Sequence, residues 1–141
     1  MSQQSRTNPA ECPRSLVVER VFPHPPEKLW RALTESPLIA QWLMKNDFEP
    51  VVNHRFHLRA DWGAVDCQVM AVEPNKTLSY TWTAFGLQTV VIWTLTPTNA
   101  GTRLRMEQSG FPSDQPQFHQ GAKGGWPRFL AALEQVLARM E

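Results

Sequence analysis

Hydrophobic and polar residues alternate through the middle of the chain, from Phe48 to Phe111, in runs of strand length separated by turn residues. In the run 77–84 (TLSYTWTA), Leu78, Tyr80 and Trp82 alternate with threonine and serine residues. Side chains of a strand point alternately to the two faces of its sheet. The pattern therefore predicts four or five strands with one apolar face and one polar face.

The same alternation assigns a face to the residues of three further runs. Those expected on the apolar face are Phe56, Leu58, Ala60, Trp62, Val91, Trp93, Leu95, Leu104, Met106 and Gln108. The run 65–72 is ambiguous, because Val69 and Met70 are adjacent and compete for the buried side. If the face of Asp66 and Gln68 points inward, Asp66 becomes a desolvated carboxylate with a raised pKa; a solvated position is the alternative.

Ahead of this region, the sequence predicts one strand followed by two short helices. Residues 15–22 (SLVVERVF) are rich in β-branched side chains and end at a group of prolines. A helix is expected at 27–34, where apolar residues recur at helical spacing. A second is expected at 38–43, with Ser36 as its cap and Pro37 at its first position.

Near the C-terminus, apolar residues recur at steps of three and four, which predicts a long helix that covers the apolar face of the sheet. The residues of this stripe are Trp126, Phe129, Leu130, Leu133, Val136, Leu137 and Met140. The segment 121–125 (GAKGG) precedes the stripe and is interpreted as a flexible hinge that could gate access to the interior.

Together these elements predict an α+β fold in one domain, residues 15–141, with a curved antiparallel sheet against the long helix. A length of 141 residues is sufficient for one hydrophobic core. The polar segment 1–14 contains two prolines and is expected to be a disordered tail.

Charge and cysteine content narrow the range of partners and locations. Fourteen basic residues against thirteen acidic ones, without runs of one sign, argue against nucleic acid or an anionic membrane as partner. No apolar run reaches the roughly 20 residues that span a bilayer. Cys12 and Cys67 are expected to be free thiols in a reducing cytoplasm.

No motif predicts a metal, a cofactor or a catalytic nucleophile. His54 and His57 are three residues apart in a strand and point to opposite faces, while His24 and His119 fall in expected loops. No serine lies in a nucleophile elbow, and the glycines do not follow a strand as in a phosphate-binding loop. Hydrolase, nucleotide-binding and redox functions are thereby disfavoured.

Several local strings, in this order, resemble the START-related superfamily of polyketide cyclases and lipid-transfer proteins. They are Glu19-Arg20, Trp30-Arg31-Ala32-Leu33-Thr34, Trp42, Leu78-Ser79-Tyr80-Thr81-Trp82, Gly101-Thr102-Arg103-Leu104, Gly110-Phe111 and Gly125-Trp126 with Leu130 and Leu133. The nearest branch is that of the homologues of the activator of heat-shock-protein ATPase. The resemblance implies a helix-grip fold with a cavity for hydrophobic ligands, and implies no shared catalytic residues.

The chain departs from the pattern of these relatives at three places. Gln108 stands where many of them have histidine, Pro127 falls where their helix is unbroken, and the segment 112–118 contains two prolines. We therefore expect the pocket mouth to differ in shape.

The apolar faces of sheet and helix together yield a candidate ligand-binding set. It consists of Trp62, Tyr80, Trp82, Trp93, Met106, Gln108, Trp126 and Phe129. Aromatic side chains in such number suit a planar hydrophobic ligand, although aromatic residues at strand and helix spacing usually fill the core. The buried polar groups of Tyr80 and Gln108 need partners, and are either bonded to each other or directed at a ligand.

Three functions are compatible with these features. The first is binding or sequestration of a hydrophobic, aromatic small molecule. The second, implied by the resemblance, is a protein-interaction module like the chaperone-ATPase activator domain, with a role in stress response. The third is a cyclase-like enzyme using Asp66 or Tyr80. The sequence leaves open whether the protein is a monomer or a homodimer.

Overall fold

The structure, a computed structural model, describes residues 14–112 and 114–140. Cys12 and the predicted tail, except Arg14, lie outside the described residues. The elements in chain order are β1 (Arg14–Phe22), α1 (Pro26–Thr34), α2 (Ser36–Trp42), β2 (Lys45–Asn46), β3 (Arg55–Ala60), β4 (Gly63–Glu73), β5 (Thr77–Ala84), β6 (Leu87–Thr98), β7 (Gly101–Phe111) and α3 (Pro116–Arg139).

The seven strands form one curved antiparallel sheet in the order β1-β7-β6-β5-β4-β3-β2. The short helices and α3 pack together against it, and the core lies between sheet and helices. This arrangement confirms the predicted α+β helix-grip fold. No helix within the described ranges is long and apolar enough to cross a membrane.

Both short helices begin with a proline in their first turn. Pro26 and Pro37 each occupy the first turn of their helix, where a missing N–H costs no helical hydrogen bond. The predicted serine cap of α2 is wrong, because Ser36 is already helical and the residue before it is the cap. The Ser36 hydroxyl instead donates to the carbonyl oxygen of Asn46 at 3.1 Å, which ties α2 to β2.

The ambiguous strand β4 buries Val65, Cys67 and Val69 and turns the alternate residues outward. The pairing register with β5 shifts between Val69 and Ala71, which leaves Met70 exposed. On the same outward face, the Asp66 side chain is 72% exposed. The solvated alternative for this carboxylate is therefore the one that the structure shows.

The C-terminal helix begins at Pro116, well before the apolar stripe. The predicted hinge at 121–125 is wrong, since these residues are helical. Each interior glycine destabilises a helix by about 1 kcal/mol relative to alanine, so the helix propensity of this segment favours a loop. Phe118, Ala122 and Trp126 recur every four residues and contact the rest of the core, and this tertiary packing prevails over the local preference.

Gly124→Ala is expected to raise the free energy of unfolding by about 0.5–1 kcal/mol. Gly124 is an exposed helical residue, and a β-carbon added to it meets no atom within 4 Å. Urea denaturation followed by circular dichroism measures the difference. A destabilised variant would contradict the helical assignment of this segment.

Candidate functional site

A cavity of about 250 Å³ lies between the sheet and the first half of α3. Its wall comes from the β3–β4 turn, the adjoining ends of β5 and β6, strand β7, helix α3 and the segment between α2 and β2. The lining residues are Met44, Trp62, Trp82, Ala84, Phe85, Leu87, Thr89, Gln108, Phe111, Gln117, Phe118, Gly121, Ala122, Gly125, Trp126 and Phe129. The wall is mostly aromatic and aliphatic, as is typical of sites for small apolar molecules.

The structure divides the predicted ligand-binding set into two groups. Residues of the first group line the cavity: Trp62, Trp82, Gln108, Trp126 and Phe129. Residues of the second group are buried in the core and do not line it: Tyr80, Trp93 and Met106.

Other aromatic side chains cover Tyr80 and Trp93. The ring of Tyr80 packs edge-on against Phe56, at 5.2 Å between centroids, and against Phe48, at 6.3 Å. Trp93 lies between Trp42 and Trp126, at 5.7 and 5.5 Å. Trp93 therefore packs against the wall residue Trp126, whereas Tyr80 contacts rings that do not line the cavity.

One alternative from the sequence was that the polar side chains of Tyr80 and Gln108 bond to each other. In the structure they do not. The Tyr80 oxygen accepts a hydrogen bond from Trp93 Nε1 at 2.9 Å. The Gln108 Oε1 accepts one from Trp126 Nε1 at 2.8 Å, and its Nε2 donates to Thr89 Oγ1 at 2.9 Å. Since an indole N–H can only donate, the contact with Trp126 fixes the orientation of the Gln108 amide.

This hydrogen-bonded chain ends on the backbone, where Thr89 Oγ1 donates to the carbonyl oxygen of Trp82 at 2.8 Å. Gln108 is only 3% exposed and lies in the cavity wall. The contacts named use one of its two N–H groups and one of its two oxygen lone pairs. Gln108 thus connects α3 to β6 and keeps hydrogen-bonding capacity for a polar group of a ligand.

The described residues of the cavity wall include no acidic, basic, histidine, cysteine or tyrosine side chain. Burial raises the pKa of the Tyr80 hydroxyl and that of the Cys67 thiol well above their usual ranges. Both groups are therefore protonated at neutral pH. The catalytic candidates Asp66 and Tyr80 both lie outside the wall.

Asp66 instead belongs to an exposed group around His57 at the outer face of the sheet. The His57 Nε2 lies 3.6 Å from Asp66 Oδ1, and its Nδ1 lies 3.5 Å from Asp47 Oδ2. Asp47 also accepts a hydrogen bond from the backbone N–H of His57 at 2.6 Å, which lowers the pKa of Asp47.

Across the described ranges, no three His, Cys, Asp or Glu side chains form a group suited to a metal ion.

Sequence reasoning missed the half of the wall that comes from the start of α3 and from the β5–β6 turn. Phe85 is 70% exposed and lies in that turn, while Phe118 lies in the first turns of α3. Neither residue belongs to the ligand-binding set that the sequence predicts. The one local signal was the spacing of Phe118, Ala122 and Trp126, which extends the apolar stripe by two turns.

Comparison with known families gives a match over most of the chain. Residues 23–138 match the family described as activator of Hsp90 ATPase homolog 1-like protein. A comparison with curated protein sequences gave no match.

Among solved structures, a protein from Mesorhizobium loti is 61% identical, with a TM-score of 0.88 over 91% of this chain and 99% of that one. A protein from Bacillus halodurans is 28% identical, with a TM-score of 0.78 over 89% of this chain and 99% of that one. DynU16, a protein of the dynemicin biosynthetic locus, is 25% identical, with a TM-score of 0.81 over 89% of this chain and 47% of DynU16. The fold is thus of a type that binds hydrophobic ligands.

Proposed function

Since the chain belongs to the family of activator of Hsp90 ATPase homolog 1-like proteins, within the START-related superfamily, we propose that its cavity binds a neutral, apolar small molecule with at least one aromatic ring. The supporting observation is the composition of the wall. Its described side chains are apolar except for one threonine and two glutamines. An ionised ligand would lose its hydration there without gaining a partner of opposite charge, so a neutral one is favoured.

The size and shape of the cavity restrict the ligand further. A volume of about 250 Å³ is below the roughly 300–1,000 Å³ typical of sites for drug-sized molecules. In the wall, the Trp126 ring contacts the rings of Trp82 and Phe129, at centroid distances of 5.2 and 5.5 Å and tilted by 56° and 64°. Such rings favour contact with another aromatic ring. A ligand of two or three rings satisfies both conditions.

Two fluorescent probes that differ by one charge test the proposal. N-phenyl-1-naphthylamine is neutral, and 8-anilinonaphthalene-1-sulfonate carries the same two aromatic groups with an added sulfonate. We expect the neutral probe to bind with a Kd at least about tenfold lower, because the wall offers no cation to the sulfonate. Probe emission and quenching of tryptophan fluorescence both report the binding.

Two outcomes would contradict the proposal. One is absence of binding by the neutral probe at its solubility limit. The other is equal or tighter binding of the sulfonate, which would indicate a charged site elsewhere on the surface. Solvent extraction of the purified protein, followed by mass spectrometry, searches for the natural ligand, which we expect to be uncharged.

The two rival functions have less support in the geometry. A cyclase-like reaction would need an acid or base in contact with the substrate, and Asp66 and Tyr80 do not line the cavity. A protein-interaction role in stress response is favoured by the exposed apolar side chains, but the two largest of them, Trp62 and Phe85, also line the cavity. Our proposal includes a cytoplasmic location, in keeping with the buried thiol of Cys67.

A further inference from the structure

The turn between β5 and β6 has an unusual residue at its first position. Ala84 pairs with Leu87, so the turn consists of Phe85 and Gly86 alone, with φ angles of +56° and +78°. Positive φ at both positions defines a type I′ turn, in which asparagine followed by glycine is strongly preferred. A phenylalanine there holds its β-carbon in a sterically unfavourable conformation.

Burial does not compensate for this backbone conformation, because Phe85 remains 70% exposed. Its ring instead lies in a row with two other aromatic rings. The Trp62 ring lies 5.4 Å away and the Phe118 ring 6.4 Å away, each tilted by 27° relative to Phe85. We name these three side chains the aromatic rim. They come from the β3–β4 turn, the β5–β6 turn and the start of α3, and all three line the cavity.

We propose that Phe85 is a ligand-binding residue that forms the outer wall of the cavity, and that an aromatic ring of the bound molecule stacks against it at the mouth. This inference rests on the proposed function. In the free protein, Phe85 occupies a strained turn and exposes apolar surface to water, so the ring contributes little to folding. A ligand that covers it would remove that surface from water and add a stacking contact. The arrangement matches the general observation that backbone strain is concentrated at binding sites.

Phe85→Asn separates the effect on binding from the effect on folding. Asparagine suits the turn, so the unliganded variant is expected to unfold at the same temperature as the unaltered protein or a higher one. Its Kd for N-phenyl-1-naphthylamine is expected to rise about tenfold, which corresponds to the loss of one aromatic stacking contact. Phe85→Leu, which keeps an apolar side chain without a planar ring, is expected to weaken binding in the same direction.

Asn75 offers a matched control. It has a φ of +66°, lies in the β4–β5 turn, and does not line the cavity. Asn75→Phe therefore places the same ring in a comparable turn conformation away from the ligand. We expect this variant to unfold at a lower temperature and to bind the probe with an unchanged Kd.

The possible failures are distinguishable. If Phe85→Asn and Phe85→Leu both bind the probe as tightly as the unaltered protein, the rim proposal is wrong and the proposed function stands. If the unaltered protein binds no neutral probe, the proposed function fails and the rim proposal fails with it. A large loss of affinity in Asn75→Phe would also overturn the rim proposal, since it would show that a substitution in a turn outside the cavity weakens probe binding as much as one at Phe85.

Discussion

Trp93→Ala is expected to lower the free energy of unfolding by about 3–5 kcal/mol, a large fraction of the roughly 5–15 kcal/mol that stabilises a typical domain. Trp93 is fully buried on β6, and its ring packs edge-on against Trp42 and Trp126. Its removal leaves a large cavity and deprives the Tyr80 hydroxyl of a hydrogen-bond donor. Urea denaturation measures the loss.

Trp62→Ala removes the same side chain from an exposed position and is the matched control. Trp62 is 52% exposed in the turn after β3 and makes its ring contact with the exposed Phe85. We expect a destabilisation of less than about 1 kcal/mol. Similar losses in the two variants would contradict the assignment of Trp93 to the core and of Trp62 to the mouth.

Gly125→Leu is expected to weaken binding of N-phenyl-1-naphthylamine by at least about tenfold. Gly125 lines the cavity, and a β-carbon added to it meets no atom within 4 Å. A leucine side chain can therefore extend into the 250 Å³ space and occupy volume that the ligand needs. Fluorescence titration of the variant against the unaltered protein measures the change.

The neighbouring Gly124 provides the control for this substitution. Gly124 is also helical and free of close contacts to an added β-carbon, but it does not line the cavity. Both leucine variants gain about 1 kcal/mol of helix propensity, so a difference in affinity cannot come from the helix itself. Equal affinity in Gly124→Leu and Gly125→Leu would place the probe outside the cavity.

The sequence was sufficient for the fold because alternation and helical periodicity are local properties. Leu78, Trp93 and Leu104 are buried on three strands as the two-residue period predicted. The covering helix followed from the spacing of its apolar residues. The exceptions fall where a local preference was weak or was overridden, as in the glycine-rich start of α3 and the capping of α2.

The composition of the cavity wall was only partly predictable. The sequence could place Tyr80 and Trp82 on the same face of one strand, but it could not decide which of them a ligand would contact. Phe48 and Phe56, from other segments of the chain, cover Tyr80, whereas Trp82 remains beside the cavity. The face of the sheet to which a side chain points is set by its position in its own strand. The side chains that pack over it come from residues far away in the sequence.

Periodicity along the chain thus determined that there is one apolar sheet face and one covering helix, with tryptophans on both, while a cavity between them was implied by the resemblance to the START-related superfamily. Tertiary structure decided how much of that space is filled, that Gln108 bonds to Trp126 and Thr89, and that Phe85 lines the cavity from a turn with positive φ. The physical reason is that the direction of a side chain depends on its own strand or helix. An unfilled volume depends on the joint packing of segments that meet only after the chain has folded.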